Sequence, residues 1–362
     1  MGIQFEINRK DLRQSRWKQT SSKILQEGDI EIAIDKFGFT ANNITYANLG
    51  DSFGYWNFFP AEESPDIWGI IPTWGFGTVI ESVNSGIQKG ERFYGYFPTA
   101  SHLILKPGKV RPTGFSDIVE HRVKLPTAYN FYYNLSKDDF YSKESEDYQA
   151  IFRPLFTTSF LLDEYLIDNN LFGAKDVLIT SASSKTAIAL AFLMKERREK
   201  ENLSFKIHAL TSVRNLDWVQ SLGYYDTVRL YDQISSLEKS DICVVDFSGN
   251  EKVQRENKDY FGSFHKHLCL VGIVHWEDQA ENPDTSGGVL FFAPTQIKKK
   301  SKEWGLANFQ EKLLNSFQKF FISSKPWLKI NQSEMKSSIE NVYLETLEGK
   351  ISAEMGPILI NS

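Results

Sequence analysis

Cysteine is nearly absent. Cys243 and Cys269 are the only two in 362 residues. A disulfide framework is excluded. Each lies in an apolar strand-like run (DICVVDF, HLCLVGIV) and reads as a reduced core residue. No apolar run is long enough to span a bilayer. The polar start MGIQFEINRKDLRQSRWKQ lacks the apolar core of a signal segment. A cytoplasmic protein with no membrane partner is expected. Positive charge is not in surplus either: the net charge is −5, with both signs scattered. No basic face is implied, so nucleic acid is not an expected partner. The run KKKSK at 298–302 reads as a solvated loop or helix end.

Aromatic residues are plentiful at 14% of the chain. Many fall in FGYWNFFP (53–60) and YNFYYN (129–134). Such clusters make core, or they line a pocket for a flat or apolar ligand. The first third reads as short strands separated by turns: DIEIAIDKFGF (29–39), VIESV (79–83), RFYGYF (92–97) and SHLILKP (101–107). That spacing suggests a partly open barrel. Residues 113–150 show no clear period and read as an irregular excursion.

From about Phe152 the period becomes helical. Six apolar runs then alternate with helical or loop segments: VLIT (177–180), FKIHAL (205–210), TVRL (227–230), ICVVDF (242–247), LCLVGIV (268–274) and VLFFAP (289–294). Runs of this kind are strands buried on both faces. Their alternation with helices predicts a doubly wound parallel sheet of the nucleotide-binding type. NFQEKLLNSFQKFF (308–321) and SIENVYLETLEGK (338–350) read as helices, and PILIN (357–361) as a last strand. The run VLFFAP is a candidate open edge, where a homodimer would form.

Glycine is missing where this fold uses it most. The turn after the first strand of such a sheet cradles a pyrophosphate at a helix N-terminus. Here it reads TSASSKTAIALA (180–191). Ser181, Ser184 and Ala187 occupy the glycine-spaced positions. All are small, and hydroxyls on Ser181, Ser183, Ser184 and Thr186 can donate to phosphate oxygens. Lys185 sits in the first helical turn, where a cation opposes the helix dipole unless an anion is present. The alternative is an ordinary helix start with a serine cap and a solvent-facing lysine. The second strand ends at Thr211, Ser212 and Arg214, with none of the acid that would bind an NAD ribose. Small hydroxyls and an arginine suit a 2′-phosphate, so NADP(H) is the expected cofactor.

These features, in this order, resemble the medium-chain dehydrogenase/reductase superfamily. EGDIEIAIDKFGFTANNITYANLGD is similar to its early strand and active-site loop. IPTWGFGTVIESVNSGIQKGERFYGYFPTASHLIL is similar to its glycine-rich strand and the turn that follows, here Gly90-Glu91-Arg92-Phe93. DVLITSASSKTAIALAFLMK, KIHALTSVRNLDWVQSLGYYDTVRLYD and DICVVDFSGN resemble its cofactor-binding core. The forms WNFFPA, WGF and RPLFTTSF look like a branch described only as a domain of unknown function. The resemblance implies a GroES-like barrel over 1–151 and 326–362 and a Rossmann domain over 152–325. It departs from the zinc-dependent members: Trp74-Gly75-Phe76 stands in their His-Glu region and no cysteine is near it. No metal is therefore expected, as in the quinone and enone reductases of the superfamily.

By the same resemblance Tyr46 is the substrate-orienting donor, with Asn43 beside it. The alternative is that Tyr46 only packs. Thr158 falls where a helix faces the nicotinamide. Ser248, Gly249, Gly272 and Ile273 fall at the ends of the fourth and fifth strands, along the cofactor. Tyr55, Trp56 and Tyr129 are candidate pocket walls. The implied activity is NADPH-dependent hydride transfer to a small carbonyl-conjugated molecule, a quinone or enone. A non-catalytic NADP(H) sensor or scaffold, or a zinc-independent ketone/alcohol dehydrogenase, are the alternatives.

Overall fold

The computed structural model describes residues 2–21, 23–271 and 287–361. They form two compact units. One comprises the chain up to Pro154 and again from Leu328; the other is Leu155–Trp327.

The first unit is built on a nine-stranded sheet. Its central strand, Ile30–Gly38, bonds antiparallel to three others: Pro72–Ser82, His102–Leu105 and the late strand Met355–Ile360. The last of these also runs parallel to Lys329–Glu334. The alternation in IEIAIDKFG explains the centre. Ile30, Ile32 and Ile34 point into the core, and Glu31, Ala33 and Asp35 lie between them, less deeply buried. The helix Met335–Leu347 covers this core with Met335, Ile339 and Tyr343.

Two expectations for this unit need correction, and its first element is one the sequence does not announce. The polar N-terminus forms a hairpin, Gly2–Asn8 with Ser15–Thr20. Its alternation is obscured because Gln4 and Glu6 are buried, with Glu6 satisfied by Gln4 and Arg16. The stretch 113–150 is not wholly irregular, for it contributes two sheet strands, Gly114–Asp117 and Phe131–Asn134. They are four residues long, too short to establish a period. The helix expected from about Phe152 begins at Glu146.

That helix, α1 (Glu146–Asp168), opens with Glu146 and Asp147, where acidic charge complements the dipole. Glu146 is 1% exposed and meets Arg92, Lys36 and Lys143, with a further bond from the Tyr141 hydroxyl. Burial opposes its ionisation. The bonds from Arg92, Lys36 and Tyr141 outweigh burial and bring the carboxyl down to about 2.

The second unit holds a six-stranded, wholly parallel sheet. Its strands are β1 (Asp176–Ile179), β2 (Lys206–Thr211), β3 (Thr227–Leu230), β4 (Ile242–Asp246), β5 (His265–Val271) and β6 (Val289–Phe291). Their order is β3-β2-β1-β4-β5-β6. This is the order of a Rossmann fold. The runs are legible because both faces are covered: all five β4 residues and three of the four in β1 are buried. After β1 comes α2 (Lys185–Glu201), after β2 the short α3 (Leu216–Ser221), and after β4 α4 (Glu251–Phe261). The helices α5 (Ala293–Trp304) and α6 (Leu306–Ser324) follow β6. The run KKKSK forms the helix end that is one of its two readings, with Lys298, Lys299 and Lys302 exposed. It lies in α5, and Lys300 is 3% exposed, paired with Glu164, Asp168 and Glu303.

The Glu146 network gives a pH dependence with a definite sign. Its folded pKa is below its unfolded value, so its contribution is complete above about pH 4.5 and is lost as pH falls towards 2. Glu146→Gln should cost about 3 kcal/mol at neutral pH and flatten that acid limb, read from denaturant midpoints across pH.

Candidate functional site

The carboxyl ends of β1, β2 and β4 converge, as the switch point of this strand order requires. The turn from β1 to α2 is held from several sides. The Ser181 backbone N–H donates to the Tyr231 hydroxyl at 3.0 Å. The Tyr225 hydroxyl donates to the Ala182 carbonyl at 2.8 Å. Asn215 Nδ2 donates to Ser183 Oγ at 2.9 Å, which ties the Val213–Asn215 turn carrying Arg214 to this loop. From α1, the Ser159 hydroxyl donates to the Thr186 carbonyl at 2.7 Å. Thr158, the neighbouring residue on α1, is half-buried.

Ser181 has φ +48°, in the left-handed region that favours glycine. The chain thus makes the turn glycine would make, at a conformational cost of about 1–2 kcal/mol. Ser184 is the N-cap of α2 and accepts from the Ala187 N–H at 3.3 Å. Its own O–H still has a proton to give. Ala187, in the third glycine-spaced position, is fully buried, so the helix packs closely there. Lys185 is the first helical residue, and burial brings its ammonium down to about 8.

At the end of β2, Thr211 is 1% exposed and its hydroxyl makes no hydrogen bond. Ser212 and Arg214 are exposed beyond it. At the end of β4 stands a residue that sequence reasoning misses. Asp246 is fully buried and accepts from the Thr180 hydroxyl, from the Ser248 N–H and hydroxyl at 3.0 and 2.6 Å, and from Gln254 Nε2 at 2.7 Å. Thr180 Oγ1 in turn accepts from the N–H groups of Phe247 and Ser248 at 3.1 and 3.3 Å. The turns after β1 and β4 are thereby latched together. Gly249 follows with φ +63°. Gly272 and Ile273 lie outside the described residues.

In the first unit, Tyr46 lies on the helix Ala41–Asn48 rather than on a loop. It belongs to a cluster with Tyr55, Phe58, Phe59 and Tyr96, against which Trp74 and Tyr129 pack. Trp74 Nε1 donates to the Tyr46 oxygen at 3.2 Å. The Tyr55 and Tyr129 hydroxyls are 3.5 Å apart. Burial, then the neighbouring Tyr129, raises the Tyr46 phenol above its ordinary value, while Trp74, Asn42 and Tyr96 pull it down. Asn43 is occupied otherwise. Its Oδ1 accepts from the Thr40 N–H at 2.8 Å and its Nδ2 donates to the Pro72 carbonyl at 3.0 Å, which caps and anchors the helix. Trp56 faces the main core rather than the tyrosines. Gly50 and Gly69 press against its indole so closely that a Cβ at either would lie 2.0 or 2.3 Å from it.

Among the described residues, no group of three or more His, Cys, Asp or Glu is placed to hold a metal ion, and no helix is long and apolar enough to cross a membrane.

The sequence matches the family described as "Protein of unknown function (DUF2855)" over residues 37–352, and the chain belongs to that family. No curated protein sequence matches it. Its fold is that of the medium-chain reductases, a GroES-like barrel with a Rossmann domain. A solved structure of the CurK enoyl reductase is similar over 100% of this chain and 99% of its own, at 15% identity and TM-score 0.54. CurA from Vibrio vulnificus, solved in complex with NADPH, is similar over 99% of both chains at 9% identity and TM-score 0.60. The human synaptic vesicle membrane protein VAT-1 homolog-like protein is similar over 100% and 99%, at 14% identity and TM-score 0.54.

The latch is testable without any ligand. Thr180→Val removes a donor to a buried carboxylate and an acceptor for two N–H groups. It should cost about 2–3 kcal/mol in chemical denaturation, whereas Ser248→Ala, which leaves Asp246 its other donors, should cost about 1 kcal/mol.

Proposed function

We propose that the protein is an NADPH-dependent oxidoreductase that reduces a small carbonyl-conjugated molecule, an enone or quinone. One observation carries the reading. At the switch point of the sheet, the β1–α2 turn takes the glycine-type backbone at Ser181 and has small residues at all three glycine-spaced positions. The residues fit a dinucleotide. Ser181, Ser183, Ser184 and Thr186 would meet the pyrophosphate at the N-terminus of α2, with Lys185 as the cation beside it. The buried Thr211 hydroxyl, which has no partner, together with Ser212 and Arg214, would take the ribose 2′-phosphate. Thr158, Ser248 and Gly249 would border the nicotinamide half. The similar enoyl reductase and the NADPH complex of CurA agree with this reading.

When bound, NADPH supplies a hydride to an electron-poor carbon. The chain's part is to hold the substrate and to meet the negative charge that grows on the carbonyl oxygen. Tyr46 is suited to this because its oxygen already accepts from Trp74, which leaves its proton available to a further acceptor. Tyr55 and Tyr129 supply flat, hydroxyl-edged walls. Asn43 and Trp56 act one step back, by fixing the helix that carries Tyr46 and the turn that carries Tyr55.

Titration with NADPH and NADH, followed by cofactor fluorescence, tests the reading. NADPH should bind at least tenfold more tightly, and Arg214→Ala should remove about 1–2 kcal/mol of that preference. No binding of NADPH at high micromolar concentration contradicts it. Binding without turnover of any enone or quinone favours a sensor instead. Lys185 adds a pH signature. Its ammonium loses its proton above about 8, so NADPH affinity should weaken as pH rises through that value. Lys185→Ala should bind more weakly throughout and lose the dependence.

A further inference from the structure

Two buried hydroxyls on the strand Arg92–Pro98 make no hydrogen bond, those of Tyr94 and Tyr96. A buried O–H without an acceptor is a cost that folding alone does not explain. The two differ in surroundings. Tyr94 stacks on Trp74 at 5.7 Å and lies under the Arg153 guanidinium at 4.4 Å. Tyr96, wholly buried, meets Tyr46 edge to face at 5.6 Å and Trp74 at 4.9 Å. Register explains the arrangement: Trp74 pairs across the sheet with Tyr96. A helix residue, Tyr46, is thus met by donors from two adjacent strands.

The chemistry of the donors is one-directional. An indole N–H can only donate, so Tyr46 Oη accepts from Trp74 and its own proton points elsewhere. The Tyr96 hydroxyl favours the ionised form of Tyr46 as a hydrogen-bond donor would, and has no partner of full hydrogen-bond geometry while Tyr46 is neutral. A charged acceptor would draw in that donor more strongly than a neutral one. That acceptor appears if Tyr46 gives up its proton.

We propose that Tyr96 and Trp74 are positioning residues that act through Tyr46, providing two hydrogen bonds to its oxygen as it becomes a tyrosinate. The inference rests on the reading of Tyr46 as proton donor. Hydride addition to a conjugated carbonyl leaves an enolate. The Tyr46 O–H bond breaks, the proton passes to the enolate, and the electron pair stays on Oη. Trp74 Nε1–H and Tyr96 O–H then both donate to that oxygen until water returns the proton. The orphaned hydroxyl is a donor held in reserve for a charge that exists only during turnover.

The test uses the full chain saturated with NADP⁺ and 4-nitrophenolate as an enolate mimic, with binding read from its absorbance. Tyr46→Phe should weaken binding about a hundredfold and Tyr96→Phe about tenfold. Trp74→Phe should weaken it similarly, and Trp74→His, which keeps an N–H, should restore part of the loss. Because the Tyr96 hydroxyl has no partner, Tyr96→Phe should leave the melting temperature unchanged or raised. Tyr94→Phe should do the same without changing affinity. If Tyr46→Phe weakens binding while Tyr96→Phe and Trp74→Phe match the wild type, this inference fails and the reading of Tyr46 stands. If the wild type does not bind the probe, or Tyr46→Phe is without effect, the reading of Tyr46 fails and this inference with it.

Discussion

The carboxylate of Asp246 is the joint on which the carboxyl end of the parallel sheet depends. It is fully buried, so its charge would be costly without donors on every side. Thr180, Ser248 and Gln254 supply them, from the end of β1, the turn after β4 and the first turn of α4. Three separate segments are thereby fixed to one atom group. A glycine-rich loop achieves close approach by lacking side chains. This chain achieves it by holding small side chains in place, and the left-handed backbone at Ser181 persists because its neighbours over-determine it.

The first unit uses a different economy. Its tyrosine cluster is aromatic and aliphatic, with the Asn42 amide at the Tyr46 oxygen and the Arg122 guanidinium over the Phe59 ring. Hydroxyls and one indole converge on a helix whose position is set by the Asn43 cap and the Trp56 packing. Such a site can donate hydrogen bonds and exclude water. Under the proposed function, that is the part left to the protein when the cofactor carries the hydride.

Much of the fold is legible in the sequence because burial imposes period. Val177–Ile179 and Ile242–Asp246 read as strands since both of their faces are covered. The start of α1 is not legible, because Glu146, Gln149 and Arg153 are polar and yet buried, which breaks the apolar stripe. Lys300 fails to read as core for the same reason: its three carboxylate partners are distant in sequence or follow it by one turn. In the site, the small residues of TSASSKTAIALA announce the turn, but nothing local shows that Ser181 adopts a left-handed backbone. Asp246 is hidden inside an apolar run. Trp74 and Tyr96 carry a signal that goes unused, the alternation of aromatics in TWGF and RFYGYF. Two such strands in register place their rings on one face.

Phosphorus NMR of NADPH titrated with the protein addresses the central claim most directly, that a serine-lysine turn holds a dinucleotide without glycine. The pyrophosphate and 2′-phosphate signals should both shift with wild-type protein. Lys185→Ala should reduce the pyrophosphate shift, and Arg214→Ala the 2′-phosphate shift alone. Signals that stay unperturbed at high micromolar protein would contradict the claim.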